Sequence, residues 1–218
     1  AGAMSDRTAR SHQTFMWVSG DGEDWGEAVE VGEADMWLWR VGWHGGRGYG
    51  VGYAVGEDRH VRFYGSVAGG GFEVMVPRMF EGGYPNESAL VFCGAGEAVC
   101  LLRRDGEMGT AQLGWSQEPY TDWSWSDLGV RIGGPSMLEL PGGELLAAVR
   151  LYDGGVRTSV GWVDRRRGGF RELVTLPSGG DTSYPGLVWW EGRLWVSYYS
   201  SHEGKTSVYL AELEVEGG

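Results

Sequence analysis

Ser88-Ala89-Leu90-Val91-Phe92-Cys93-Gly94-Ala95-Gly96-Glu97 is an apolar run, a tight glycine turn and the start of a second apolar run. The same plan stands at residues 40–47, 137–144 and 186–193. The turn glycines, Gly46, Gly96, Gly143 and Gly192, are 50, 47 and 49 residues apart. A strand-only unit recurring at that period is the mark of a propeller blade. Each unit continues with a third apolar run, at 60–65, 110–115, 158–163 and 206–210, and three have a fourth, at 72–76, 128–132 and 170–176. No window keeps a helical period, so the expected fold is an all-β propeller of four-stranded antiparallel blades.

The ends do not balance. Residues 12–18 and 27–31 read as the third and fourth strands of a blade, and the last blade stops after its third. The expected closure lets residues 27–31 join the C-terminal blade as its fourth strand, which leaves 12–18 surplus. About four and a half blades result. They make a four-bladed ring with an added strand, or a five-bladed ring completed by oligomerisation, because an open ring exposes strand edges. Residues 1–10 read as a tag or disordered tail, and 11–218 as one propeller domain.

Composition agrees and removes several functions. Forty glycines in 218 residues is well over twice the usual share of roughly 7%. Beside 13% aromatic residues, that suits short strands and tight turns rather than a disordered linker. The net charge of −12 repels a phosphate backbone, and Arg165-Arg166-Arg167 is the single basic run, so no nucleic-acid partner is expected. No apolar stretch approaches the roughly 18 residues that would span a bilayer, and no signal-peptide pattern opens the chain. Cys93 and Cys100 lie out of register on one hairpin and read as free core thiols, which leans toward a reducing, cytoplasmic setting. His12, His44, His60 and His202 lack metal-ligand spacing, and the 69–71 glycine run lacks the Lys-Ser/Thr of a phosphate loop, so neither metal nor cofactor is expected.

Candidate function comes from where polar residues fall on the blades. Glu87 and Tyr184 sit at first-strand starts, Arg103 and Arg150 at second-strand ends, with Tyr53 and Tyr199 in the equivalent second-strand position. In a propeller these positions share one end of the channel. Arg104 and His202 belong to second-to-third strand loops on that same face, which makes it the default pocket. Trp37, Trp39, Trp43, Trp189, Trp190 and Trp195 read as inter-blade packing, with one or two free to stack on a sugar.

Three motifs resemble the sialidase superfamily. Ser19-Gly20-Asp21-Gly22-Glu23-Asp24-Trp25 is similar to its Asp box, in which Asp and Ser cap backbone amides, Gly takes an unusual φ and Trp packs back on the sheet. Asn86-Glu87-Ser88-Ala89-Leu90-Val91-Phe92, with Arg103 sixteen residues after Glu87, resembles the segment holding the catalytic Glu and a substrate-binding Arg. Tyr184-Pro185-Gly186-Leu187 is similar to the segment carrying the nucleophile. The resemblance implies a glycosidase acting on an acidic or otherwise exo-terminal sugar or glycoconjugate. Tyr184 would be the nucleophile, Glu87 its proton acceptor, and arginines the clamp on a substrate carboxylate. The family's early Arg and acid/base Asp have no counterpart, and only Asp35 and Asp181 precede first strands as stand-ins. Two further readings stay open: a non-catalytic glycan- or protein-binding propeller, and a partial propeller that assembles into a homo-oligomer. A five-bladed glycosidase scaffold with paired carboxylates is the alternative at the level of fold.

Overall fold

The computed structural model describes residues 11–68, 70–94, 96–107 and 109–215, and the backbone alone of 2–6. The tail assigned to 1–10 and Gly69 of the triple-glycine turn therefore lie largely or wholly outside the described residues. Among the described residues all regular structure is antiparallel β, in sheets of blade topology, and the chain divides into two compact units, 1–86 and 87–218.

The first unit holds two sheets. One is β1 (Gly2–Asp6), β2 (Ser11–Met16) and β3 (Val29–Val31), in that order. The other is a four-stranded meander of β4 (Met36–His44), β5 (Arg47–Ala54), β6 (His60–Ser66) and β7 (Phe72–Glu81). Val31, Leu38 and Tyr64 form the core between them, with Met16, Val41, Phe72 and Val74 packed on its margin. Glycine is what lets this core close. A Cβ on Gly50 would stand 2.7 Å from Leu38 Cδ1, and one on Gly52 2.9 Å from the Tyr64 ring. Alternate glycines thus give β5 a flat face on which two large side chains lie.

The second unit begins within β8 (Pro85–Cys93), which runs on through β9 (Glu97–Arg104), β10 (Gln112–Ser116) and β11 (Ser124–Asp127) as one blade. The next blade is β12 (Ile132–Glu139), β13 (Leu145–Leu151), β14 (Arg157–Asp164) and β15 (Gly169–Thr175). The last has three strands, β16 (Thr182–Trp190), β17 (Arg193–Ser200) and β18 (Ser207–Leu213). Strand β13 shows how the blades stack. Leu145, Ala147 and Val149 enter one apolar cluster with Leu101 and Leu113, while Leu146 and Ala148 enter another with Leu194 and Val196. Both faces of the strand are buried, so it reads as an unbroken apolar run in which successive side chains feed different blade interfaces.

The expected closure is corrected. Residues 29–31 pair with β2, not with the C-terminal blade: Thr14 stands opposite Val31 and Met16 opposite Val29. Among the described residues the C-terminal blade has three strands, and β2 is not surplus but the middle strand of the N-terminal sheet. The linking segment explains the choice. Residues 17–28 make a tight turn closed by a Ser19–Trp25 bridge and a Gly26 N–H to Val18 carbonyl bond of 3.0 Å, which returns the chain beside β2.

Cys93 and Cys100 are both free and buried. Burial, helped by the negative charge of Glu139, pushes the Cys93 thiol up to about 12, and burial alone pushes Cys100 up further. Neither thiol is expected to react with a disulfide reagent in the native protein, and both are expected to react in denaturant. Stoichiometric labelling of the native protein at neutral pH would contradict this packing.

Candidate active site

Three blades of the second unit meet around the carboxylate of Glu87. The residue lies at the start of β8, 6% exposed. Its Oε2 accepts a bond of 2.7 Å from Arg103 Nη1 and one of 3.0 Å from the Gly134 backbone N–H, and its Oε1 accepts the Tyr184 hydroxyl at 2.7 Å. Each donor comes from a different blade. Arg103 stands on β9, where a hairpin returning from β8 brings second-strand ends to first-strand starts.

The other two donors owe their position to a local device that the turn glycines do not reveal. Tyr84-Pro85, Gly134-Pro135 and Tyr184-Pro185 recur at intervals of fifty residues. In each, the residue before proline has positive φ: 58° at Tyr84, 51° at Gly134 and 49° at Tyr184. The ladder breaks there, between Gly133 and Ser136 in β12 and between Ser183 and Gly186 in β16. A bulge of this kind re-aims one residue out of the pleat. In β16 it sends the Tyr184 side chain to Glu87. In β12 the residue is glycine, and it is the backbone N–H that reaches the same carboxylate. Sequence reading named Glu87, Arg103 and Tyr184 but missed Gly134, and the proline period is the signal that finds it.

The cluster extends in both directions. Arg103 also bonds Asp105, Nε to Oδ1 at 3.2 Å and Nη2 to Oδ2 at 3.0 Å, and Arg131 Nη2 lies 3.6 Å from the same carboxylate while stacking over Tyr152 at 4.5 Å. On the other side the Tyr184 ring lies 5.9 Å from Tyr199. Tyr199 donates to Asp181 Oδ1 at 2.7 Å, and Arg150 Nη2 donates to both, at 3.0 Å to Asp181 and 2.8 Å to Tyr199. Arg150 Nε is held by the Thr182 carbonyl. Burial and then the Glu87 bond push the Tyr184 hydroxyl up to about 12, and burial with Asp181 does the same to Tyr199. Both phenols are therefore donors at neutral pH. Burial opposes the Arg103 charge, yet Glu87 and Asp105 outweigh it and raise the group. Three carboxylates, Glu87, Asp105 and Asp181, face three guanidinium groups, Arg103, Arg131 and Arg150, so formal charge cancels.

Two sequence candidates stand elsewhere. Arg104 turns to the outer strands of its blade, bonding the Thr110 carbonyl at 2.7 Å and Asp127 at 2.8 Å. His202 bonds Ser200 Oγ at 2.9 Å and packs 4.7 Å from the Tyr209 ring. Asp35, in the first unit, accepts the His12 backbone N–H. Among the described residues, no group of three or more His, Cys, Asp or Glu is placed to hold a metal ion.

Comparison with protein-family models gives no match, and comparison with curated proteins gives none either. Solved structures do match. A protein of unknown function from Dyadobacter fermentans is similar at TM-score 0.80 and 16% identity, over 94% of this chain and 72% of that one. A GH43_1 enzyme from Xanthomonas citri is similar at TM-score 0.59 and 13% identity, over 87% and 75%. The arabinanase of Bacillus subtilis is similar at TM-score 0.56 and 13% identity, over 83% and 74%. The likeness is one of fold. It confirms the all-β propeller and places it beside GH43 glycosidases, the five-bladed type set out above as the alternative.

The sialidase resemblance is corrected by these same likenesses. Its motifs have local explanations. Asp21 Oδ1 accepts the backbone N–H groups of Glu23 and Asp24 at 2.9 Å, and Ser19 Oγ that of Gly22 at 2.7 Å, which is what a Ser-x-Asp-Gly turn does on any sheet. Trp25, expected to pack back on its sheet, is 61% exposed. The Glu87–Arg103 spacing is set by hairpin length, which brings a first-strand start beside a second-strand end in any blade of this size.

Proposed function

We propose that this chain is a propeller of the glycoside hydrolase type, taking a neutral sugar at the Glu87 cluster. The observation that carries the reading is the convergence of three blades on one carboxylate, Glu87, beside the partly exposed Tyr184, in a fold shared with glycosidases. Glycosidic hydrolysis by two carboxyl groups needs one to protonate the leaving oxygen and another to activate water or attack. The chain Glu87–Tyr184–Tyr199–Asp181 links two such groups from different blades. Asp181, largely exposed and paired with Arg150, supplies the second carboxyl group of that pair. Glu87, held by Arg103 and Gly134, suits the base, with the Tyr184 hydroxyl occupying the place a sugar or water hydroxyl takes. Tyr184 serves in this reading as a wall and as a donor to Glu87.

An acidic sugar fits worse. Arg103 and Arg150, the arginines suited to clamp its carboxylate, already bond Glu87, Asp105 and Asp181. Adding an anion there would require breaking an internal pair.

Turnover of p-nitrophenyl arabinofuranoside, xyloside and galactoside tests the reading. At least one should be hydrolysed, and Glu87→Gln should lower kcat by about a hundredfold or more. Equal rates in the two proteins would contradict it. A second reading, non-catalytic glycan binding, is favoured by the three internal donors that already bond the Glu87 carboxylate. It predicts saturable sugar binding, weakened by Tyr199→Ala, with no turnover in either protein.

A further inference from the structure

Three indoles of the first unit surround one groove remote in sequence from every residue of the Glu87 cluster. Trp17, Trp25 and Trp43 are 40%, 61% and 69% exposed and line a cavity of about 830 Å³ floored by Val31, Leu38 and Val41. That volume falls in the range of small-molecule and cofactor sites, roughly 300–1,000 Å³. The groove opens where hairpins turn: the 19–25 turn, the Gly45-Gly46 turn between β4 and β5, and residues 67–68 and 70–71 between β6 and β7. First strands begin at the other end of these blades.

The lining is built rather than merely uncovered. The Ser19–Asp21 hydrogen bonds fix the turn that carries Trp25, and Trp17 leans on Phe15 with ring centroids 6.2 Å apart. Its charge is as telling. In a protein of net charge −12, Arg47 is, among the described residues, the one charged side chain lining the groove, and it bonds Glu73 at 2.8 Å and the Ser66 carbonyl at 2.9 Å. Neither a polyanion nor a cation finds a counter-charge there. Rigid aromatic faces with no free charge suit a ligand that has apolar ring faces and a neutral polar edge.

We infer that this groove is a second, non-catalytic binding site for a neutral polysaccharide, whose sugar rings stack on Trp17, Trp25 and Trp43. The inference does not rest on the roles given to Glu87. Such a site holds the chain to its polymer while the other unit acts on, or binds, a separate sugar.

Affinity electrophoresis through soluble arabinan, xylan or galactan tests it, with three variants. Wild type should be retarded by at least one polymer, and Trp17→Ala/Trp43→Ala, which alters only exposed rings, should lose about tenfold or more in affinity. Glu87→Gln should be retarded as wild type is, whatever its activity, and so should Trp190→Ala, which removes an equally exposed indole outside the groove. No retardation by any of the three polymers overturns the inference. So does equal loss in Trp190→Ala. A wild-type dimer in sedimentation that the double variant dissolves would make the groove a self-association face, and that also overturns it.

Discussion

Glu87→Ala is expected to destabilise the protein by about 3–5 kcal/mol, the usual cost of removing one partner of a buried ion pair. The side chains of Arg103 and Glu87 are 16% and 8% exposed, so water does little to take over the lost bond. The variant leaves the Arg103 guanidinium facing Asp105 alone, the Gly134 N–H without its acceptor and the Tyr184 hydroxyl without its partner. Each orphaned donor adds to the loss. Glu87→Gln should cost less, since it keeps the shape and one acceptor oxygen. Urea unfolding reads the difference. Combining Glu87→Ala with Arg103→Met should cost less than the two single changes added together, because each single change already removes the bond between the two side chains. Strict additivity would show that the pair does not interact as described.

The second large effect comes from a residue with no side chain. Gly134→Ala should cost about 2–4 kcal/mol, of which about 1–2 comes from placing a Cβ in left-handed backbone and the rest from overpacking. The added Cβ would collide with Ser183 Oγ and stand 2.7 Å from Tyr184 Cδ1 and 2.9 Å from the Tyr184 backbone nitrogen. That collision pushes β12 and β16 apart where both bulges aim at Glu87. Activity or sugar binding should therefore fall with stability. Gly169→Ala is the matched control, because nothing lies within 4 Å of its Cβ and its φ is ordinary, so its effect should stay within about 0.5 kcal/mol. Similar losses in the two variants, by thermal or urea unfolding, would contradict the bulge geometry.

The blades were legible because their signal is repetitive. Hairpin glycines at a period near fifty placed the first and second strands of all four blades, and the apolar run of β13 fits a strand buried on both sides. Closure was not legible. Whether residues 29–31 pair with β2 or with the last blade depends on how tightly 17–28 turns, and a bridge such as Ser19–Trp25 has no pattern that alternation can expose. At the site, Glu87, Arg103 and Tyr184 follow from strand-end positions alone, so their meeting survives the loss of the sialidase resemblance. Arg104 shows the limit of that rule: neighbouring residues on a strand face opposite ways, and Arg104 goes to Asp127 while Arg103 goes to Glu87. Gly134 was hidden because its contribution is a backbone N–H, visible only through the proline that follows it.

Sugar is expected to bind where Tyr184 and Tyr199 link Glu87 to Asp181. Ring-labelled tyrosine NMR during titration with arabinose, xylose and galactose tests it most directly. Resonances of Tyr184 and Tyr199 should move with one of these sugars while those of the buried Tyr49 and Tyr64 stay fixed. A sugar that binds without moving Tyr184 or Tyr199, or no binding by any of the three, would contradict it.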